Sequence, residues 1–389
     1  MLAAAAFSCA AQTAAPVPDV YRVKFETSKG DFTVEEADKP ARGTSIKLHL
    51  KEDAGEYADP QRLRHIDHKY SDHIALPIVL TEDGKDETIN SASALAISDL
   101  AKKEKVPFFV TLSKSDKITG EKGHRYVFGM DENTLMAGRA GAAFLAKKPY
   151  LRYWIAGDDY EFGHSIADAV WTSLKASKPD VQLVGQSWWK VGETDFTPYI
   201  TQIMAAKPDF LIGATGAASM TTFQKAAQQT GLVKTIPMWQ HTAIDYTIML
   251  PLGLDAPEGI LGSIVYPGFY YPDNAGNKAF VDEFKKLYNR LPSMTAFFGY
   301  NTAQFIVRGL QKAGTTDKEK FIDAVRGLSY ESFLGRIEVR ACDNQTVMPM
   351  IFGMTKRDPR YPFLIAGDVT AIPPMEYMPS CEEVLKSRK

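Results

Sequence analysis

Long apolar runs are missing from this 389-residue chain; nothing approaches the roughly 18 consecutive apolar residues that a membrane-spanning helix requires. An excess of charge is missing too. The 45 Lys and Arg nearly balance the 47 Asp and Glu, and no basic run stands out, so an electrostatic grip on nucleic acid is excluded. Cysteine is scarce, at three residues, and no zinc-binding motif is built from them. No nucleophile elbow, phosphate-binding loop or dinucleotide fingerprint occurs, which argues against an enzyme and against a bound cofactor. Scattered carboxylates such as Asp158-Asp159 read as cap and loop residues.

What is present is a 45% hydrophobic composition, enough for a large core divided over two or three domains. The first eleven residues, Met1 to Ala11, are alanine-rich and apolar, and they run into Pro16-Val17-Pro18. They read as the late part of a secretory signal with cleavage choices before Gln12 or Pro16, although the usual basic start is absent. An unstructured tail is the other reading, and Cys9 is a bystander. If the chain is exported, Cys342 and Cys381 are expected to close the C-terminal segment as one disulfide; in a cytoplasmic protein they would be two free thiols.

Three textures follow one another. Val20 to Thr27 alternates apolar and polar side chains, and Ser28-Lys29-Gly30-Asp31 turns it into Phe32-Thr33-Val34, a hairpin signal. The words VYRVKFETSKGDF resemble the opening strands of an exported cyclophilin-type prolyl isomerase, and the likeness ends at about residue 32 without that family's catalytic residues. From about 31 to 95, GDFTVEEADKPARGTSIKLHLKEDAGEYADPQRLRHIDHKYSDHIALPIVL and ETINSASAL resemble the ninety-kilodalton heat-shock chaperone family at the end of its ATP-binding domain. Arg42 to Leu50 reads as a strand and Pro60 to Tyr70 as a helix. Thr44 matches a residue near the adenine in that family, but the catalytic carboxylate, the Mg-binding Asn and the Gly-rich lid have no counterpart, so no ATPase is expected. His65, His68 and His73 invite a metal reading, and His65-x2-His68 has a permissive spacing, yet nothing completes the set, and a solvated basic face is the expectation. The textures meet inside the shared words GDFTVE and SASAL, which points to a chimeric or misassembled gene.

From about Ser91 onward, short β-branched or aromatic runs alternate with longer amphipathic ones, the pattern of α/β units on a parallel sheet. Strands are expected at Val106–Thr111, Leu151–Ala156, Val181–Gly185 and Phe210–Ala214. Helices are expected at Glu132–Lys147 and His164–Ser177, with a third beginning near Thr194 and capped by Thr194 or Asp195. The words GDDYEFGHSIADA, GETDFTPYITQIMAAKPDFLIGATG, GSIVYPGFYYPDNAGNKAFVDEFKKLY and FFGYNTAQFIVRGLQKAGTTDKEKFIDAVRGLSYESFLGRIEVRACDNQ resemble the type I periplasmic binding proteins of the leucine/isoleucine/valine class. This likeness covers about 91–389.

The resemblance implies an α/β type I periplasmic-binding-protein fold of two doubly wound lobes. The first lobe would lack its opening βαβ elements, and an α+β insert would precede it. The expected division is a signal-like segment over 1–15, the strand pair over 16–32, the chaperone-like piece over 33–95 and the binding-protein-like domain over 96–389. Within that domain, lobe I takes about 96–130 and 270–330, and lobe II about 131–269 and 331–365. The implied role is the exported, periplasmic solute-binding component of an ABC importer, with ABC permease membrane subunits as partners and an amino acid or related carboxylate as solute. A chaperone fragment is the alternative.

An amino acid needs donors for its carboxylate and acceptors for its ammonium, and loops at the carboxyl ends of parallel strands supply them. Ser113 and Ser115, after the first strand, match the family's carboxylate loop; ordinary turn chemistry would equally place them there. Phe162, expected in a polar loop, matches an aromatic that closes over the ligand; a core aromatic is the other reading. Thr215, Gly216 and Ala217 occupy the next cleft loop. Gln240 and His241 stand where some relatives place an acid for the ammonium, so the cleft is expected to lack a negative charge there. Tyr300 is expected to pack at the lobe boundary, with contact to the ligand as the other reading. Trp188-Trp189 reads as strand packing.

Overall fold

A computed structural model describes residues 23–27, 30–35, 45–50, 80–82, 85–87 and 91–388 save 267 and 269–273, with side chains from 94 on except 217 and 218. The signal-like segment, the helix expected at Pro60–Tyr70, Thr44 and the three histidines at 65, 68 and 73 lie outside the described residues. The chain divides into two units, Met1–Thr88 and Ile89–Lys389. In the first, β1 (Val23–Thr27), β2 (Gly30–Glu35) and β3 (Ser45–Leu50) form an antiparallel sheet in that order. Phe25 lies opposite Phe32 and Phe32 opposite Leu48 in the strand register. A short hairpin, β4 (Leu80–Glu82) and β5 (Lys85–Glu87), follows.

The second unit opens with α1 (Ser91–Glu104), and the boundary expected between 95 and 96 falls inside this helix. Next come β6 (Phe108–Val110) and β7 (Val127–Gly129), a parallel pair. The chain then crosses into α2 (Thr134–Ala146), β8 (Arg152–Asp158), α3 (Glu161–Ser177), β9 (Gln182–Trp189), α4 (Thr197–Ala206), β10 (Phe210–Ala214), α5 (Ala217–Thr230), α6 (Leu232–Thr235), β11 (Met238–His241), α7 (Tyr246–Leu252) and β12 (Leu261–Ile264). It returns through α8 (Ala275–Tyr288), α9 (Met294–Ala313), α10 (Lys318–Val325), β13 (Ser329–Ser332), β14 (Gly335–Val339) and β15 (Thr346–Val347). It finishes with β16 (Met350–Lys356), β17 (Ile365–Ile372) and α11 (Cys381–Ser387).

Seven strands make the main sheet, in the order β17-β16-β12-β11-β10-β8-β9. The five from β12 to β9 run parallel, and β16 and β17 add an antiparallel edge. The central parallel strands are buried on both faces (every residue of β10, β11 and β12 is buried), as a sheet covered by helices on both sides requires; the edge strand β9 is more open. One face carries Ile155, Phe210, Ile212 and Trp239 against α2 and α3; the other carries Trp154, Leu211 and Met238 against α4 and α5. α2 and α3 approach closely because position 138 is glycine: a Cβ there would lie 2.5 Å from Ala169 Cβ and 2.7 Å from the Val170 amide.

The first-lobe side is smaller. Among the described residues its parallel sheet consists of β6 and β7, and a single parallel bridge, Gly129 to Gln345, joins it to the antiparallel sheet β13-β14-β15. Residues 331–347 therefore belong with the first lobe and not, as expected, with the second, while the second lobe extends past 365 to the end of β17 at Ile372. Three stretches connect the lobes: 130–133, the segment after β12 beginning at Val265, and 348–349.

Several boundaries differ from the expected ones for local reasons. β9 continues to Trp189, because Gly185 is the one residue that tolerates the Trp154 ring lying over it rather than the end of the strand. α3 begins at Glu161, three residues early, with an extended Tyr160 before it and Glu161 in the first turn, where the helix dipole favours an acid. α4 begins at Thr197 with Pro198 in its first turn. Its cap is neither Thr194 nor a formal Asp195 cap, although Asp195 Oδ1 accepts from the Thr197 amide at 3.0 Å. Among the described residues no helix is long and apolar enough to cross a membrane.

Candidate functional site

The strand order places a topological switch between β8 and β10: the chain leaves β8 for β9 on one side and reaches β10 on the other. In open parallel sheets the crevice beyond the carboxyl ends at such a point is where ligands bind. Asp158 ends β8 there and is buried. Its Oδ1 accepts from Trp189 Nε1 at 2.8 Å and its Oδ2 accepts from the Gly216 amide at 2.6 Å. Burial pushes the Asp158 carboxyl above its ordinary value. Asp158 thus ties the two flanking loops together, and Gly216 stays within reach because a Cβ would crowd the Tyr160 hydroxyl at 3.0 Å. Thr215 is buried beside it and accepts at Oγ1 from Gln240 Nε2, 3.0 Å, while Gln240 Oε1 accepts from Gln224 Nε2, 2.9 Å. Ala217 opens α5.

Opposite these ends lies the loop after β6. Ser115 is buried, and its hydroxyl donates to Glu161 Oε1 at 2.9 Å; Lys117 Nζ donates to Glu161 Oε2 at 3.0 Å. Asp116 Oδ1 accepts from Ser165 Oγ at 2.7 Å and from Thr134 Oγ1 at 3.2 Å. Ser113 is half-buried in the same loop. Phe162 is not in a loop: it lies in the first turn of α3, 9% exposed, within the core cluster and stacked 6.0 Å from Tyr160. Tyr300, 37% exposed on α9, packs against Phe280 and Phe333 and joins none of these groups.

Beneath the loop is a buried ionic layer that sequence reasoning missed. Lys114 Nζ is 2.6 Å from Glu132 Oε1 and 3.5 Å from Asp131 Oδ2, and lies 4.9 Å over the Phe298 ring. His241 Nε2 is 3.0 Å from the same Glu132 oxygen, and His241 Nδ1 is 3.0 Å from Ser263 Oγ. Ser263 Oγ also accepts from Trp239 Nε1 at 3.0 Å. One assignment satisfies the chain: Ser263 donates to Nδ1, and a neutral imidazole donates from Nε2 to Glu132. The expectation that no acid stands near His241 is therefore corrected. Glu132 supplies it, from the first crossing between the lobes and not from the sheet end. Its signal in the sequence, Asp131-Glu132-Asn133 before a helix, reads as ordinary capping, and Asn133 does cap α2.

Burial pushes the Lys114 ammonium down, but Glu132 and Asp131 outweigh it and the net shift is upward. Burial pushes Glu132 up, and Lys114 with His241 overrides that to hold it at about 2. His241 is lowered, chiefly by burial. Burial raises Asp131 to about 7, and Glu132 adds to it. Two buried carboxylates thus share one lysine, and Asp131 Oδ2 and Glu132 Oε2 have no hydrogen-bond partner. Among the described residues no group of three His, Cys, Asp or Glu could hold a metal ion.

A pH test follows from Asp131. Its folded value lies above the ordinary 3.8, so the folded chain keeps a proton that the unfolded chain releases. The stability it contributes is full below the unfolded value and is lost as pH rises through the folded one. Asp131→Asn should therefore lose less melting temperature than the parent between about pH 4 and about pH 8; the opposing contributions of Glu132 and His241 are common to both chains. Parallel melting profiles would show that Asp131 is not protonated in the fold.

A cavity of about 280 Å³ lies beside the loop, lined among others by Asp116, Lys117, Asn133, Arg340, Asp343 and Glu383. Cys342 and Cys381 are joined as a disulfide, Cα atoms 5.9 Å apart.

Two α/β lobes connected by three crossings, with strand-end loops of one facing a loop of the other, define a two-lobed binding protein. The family model described as periplasmic binding protein matches residues 87–359, and the chain belongs to that family. Among solved structures it is similar to an ABC-type branched-chain amino acid transporter from Rhodopseudomonas palustris, 25% identical, TM-score 0.60, covering 74% of this chain and 76% of that one. It is also similar to an R. palustris solute-binding protein in complex with benzoate, 21% identical, TM-score 0.63, covering 73% and 76%; the latter likeness is one of fold. Among curated proteins, the chaperone protein HtpG of Paraburkholderia xenovorans is 36% identical over 136 residues, 31% of this chain. The chain spans between 13% and 22% of the length of the first such relatives.

Proposed function

We propose that this chain is the exported solute-binding component of an ABC importer, delivering a branched-chain amino acid or a similar small carboxylate-bearing solute to ABC permease membrane subunits. The observation that carries this reading is the meeting of the Ser113–Lys117 loop with Glu161, which opens α3 just beyond the switch-point end of β8. Hydroxyl and ammonium donors stand on one side of that meeting, and acidic oxygens at Asp131 and Glu132 lie beneath it. The family match supports the class. The named relatives, one an amino acid transporter and one holding benzoate, support a small solute with a carboxylate. Export is supported by the alanine-rich start and by the disulfide, a bond that persists in oxidising compartments. The first ninety or so residues read as material of other origin fused to a first lobe without its opening strands.

Titration calorimetry of the folded chain with L-leucine, other amino acids, amides and benzoate tests this. Heat with at least one small solute is expected, and none with any would remove the function. The HtpG likeness favours a second reading, a chaperone fragment; measurable ATP binding would support it.

A further inference from the structure

We propose that Glu161 is an internal occupant of the carboxylate site, so that a carboxylate solute binds by displacing it from Ser115 and Lys117. This rests on the solute-binding reading above and specifies which solutes the site takes. Both oxygens of Glu161 are engaged, one by the Ser115 hydroxyl at 2.9 Å and the other by the Lys117 ammonium at 3.0 Å. Two donors from one loop on two oxygens is the arrangement a free carboxylate would adopt. The donors belong to the first lobe and the acid to the second, so the contact also closes the lobes on each other. Burial raises Glu161 somewhat, but Lys117 and Ser115 prevail and hold it below the ordinary carboxylate range. It also sits in the first turn of α3, the end of the helix that favours negative charge. The occupant is therefore ionised at neutral pH and matches a solute carboxylate in charge and shape, and the two cannot hold the same donors together. The loop has a second anchor, Asp116 on Ser165 and Thr134, which keeps it in position when Glu161 leaves. An uncharged solute gains nothing from the exchange, so the site selects anions.

The test uses the full chain with Glu161→Gln and Glu161→Ala, and two readouts. The first is acylation of Lys117, followed by mass spectrometry with the exposed Lys286 as control; it needs no solute. Because Glu161 raises the Lys117 value, labelling of Lys117 should quicken several-fold in both variants while Lys286 is unchanged. The second is calorimetry with benzoate and benzamide. Loss of a charge-assisted competitor should tighten benzoate about tenfold and leave benzamide unaffected. Unchanged Lys117 labelling in both variants overturns the proposal. So does equal benzoate affinity in all three chains, an outcome that leaves the solute-binding reading standing. Faster labelling with no benzoate bound by any chain also overturns the displacement, and parental binding of an uncharged solute would then show that the solute-binding function survives it. Benzoate bound by Glu161→Ala alone supports the proposal.

Discussion

Replacing Lys114 by methionine is expected to destabilise the Ile89–Lys389 unit by about 3–5 kcal/mol, a large share of the 5–15 kcal/mol that holds a typical domain. Lys114 and Glu132 are almost fully buried and 2.6 Å apart. The pair itself contributes little net stability, since desolvating two charges offsets most of their attraction. Removing one partner is different: Glu132 is left ionised and dry, with His241 as its hydrogen-bond partner and Asp131 beside it. Urea unfolding followed by circular dichroism measures the loss. The double variant Lys114→Met, Glu132→Gln should recover more than half of it, because a neutral amide still accepts from His241 and no bare charge remains. Equal losses in the single and double variants would mean that methionine harms packing under Phe298, 4.9 Å away, rather than stranding a charge.

That ionic layer marks the boundary of what the sequence makes legible. Phe210–Ala214 is bounded as expected because Lys207-Pro208-Asp209 stops the helix before it: Lys207 takes a left-handed conformation and Asp209 Oδ2 binds the amides of Leu151 and Arg152. Although the Asp209 bonds reach across to the start of β8, the Lys-Pro-Asp stop is itself a neighbour effect that a local pattern reveals. The parallel α/β plan was legible for the same reason. Lys114, Glu132 and His241 lie 18 and 109 residues apart along the chain, and each alone has an ordinary local explanation. Phe162 shows the opposite failure. A polar neighbourhood suggested a loop, yet Glu161 stabilises the first helical turn from its positive end and carries Phe162 into the core. Ser115 was legible as a hydroxyl in the loop after the first strand; that its partner would be Glu161, across the lobes, was not.

Reducing the Cys342–Cys381 bond should cost about 2–4 kcal/mol. The bridge closes a loop with a sequence separation of 39, and in the chain-entropy account a loop of that length restricts the unfolded state by about 4 kcal/mol. The native side of the balance is a strap formed by the last residues. Tyr377 donates to the Met348 carbonyl on a crossing, Arg139 of α2 pairs with Glu383, and Arg340 Nη1 binds the Pro379 carbonyl at 2.6 Å. Arg388 reaches back to the Thr119 and Gly120 carbonyls at 2.7 and 3.1 Å. The strap therefore touches the first-lobe loop, the second lobe and the connection between them, and Pro379, Glu383, Val384 and Ser387 wall the cavity beside Lys117. Urea midpoints with and without reductant, and for Cys342→Ser with Cys381→Ser, should shift together. A midpoint that does not move would show that the bond adds no net stability to the fold. Because thiols stay reduced in the cytosol, chain recovered from an oxidising compartment should be the more stable preparation by the same margin, and reductant should bring the two to one midpoint.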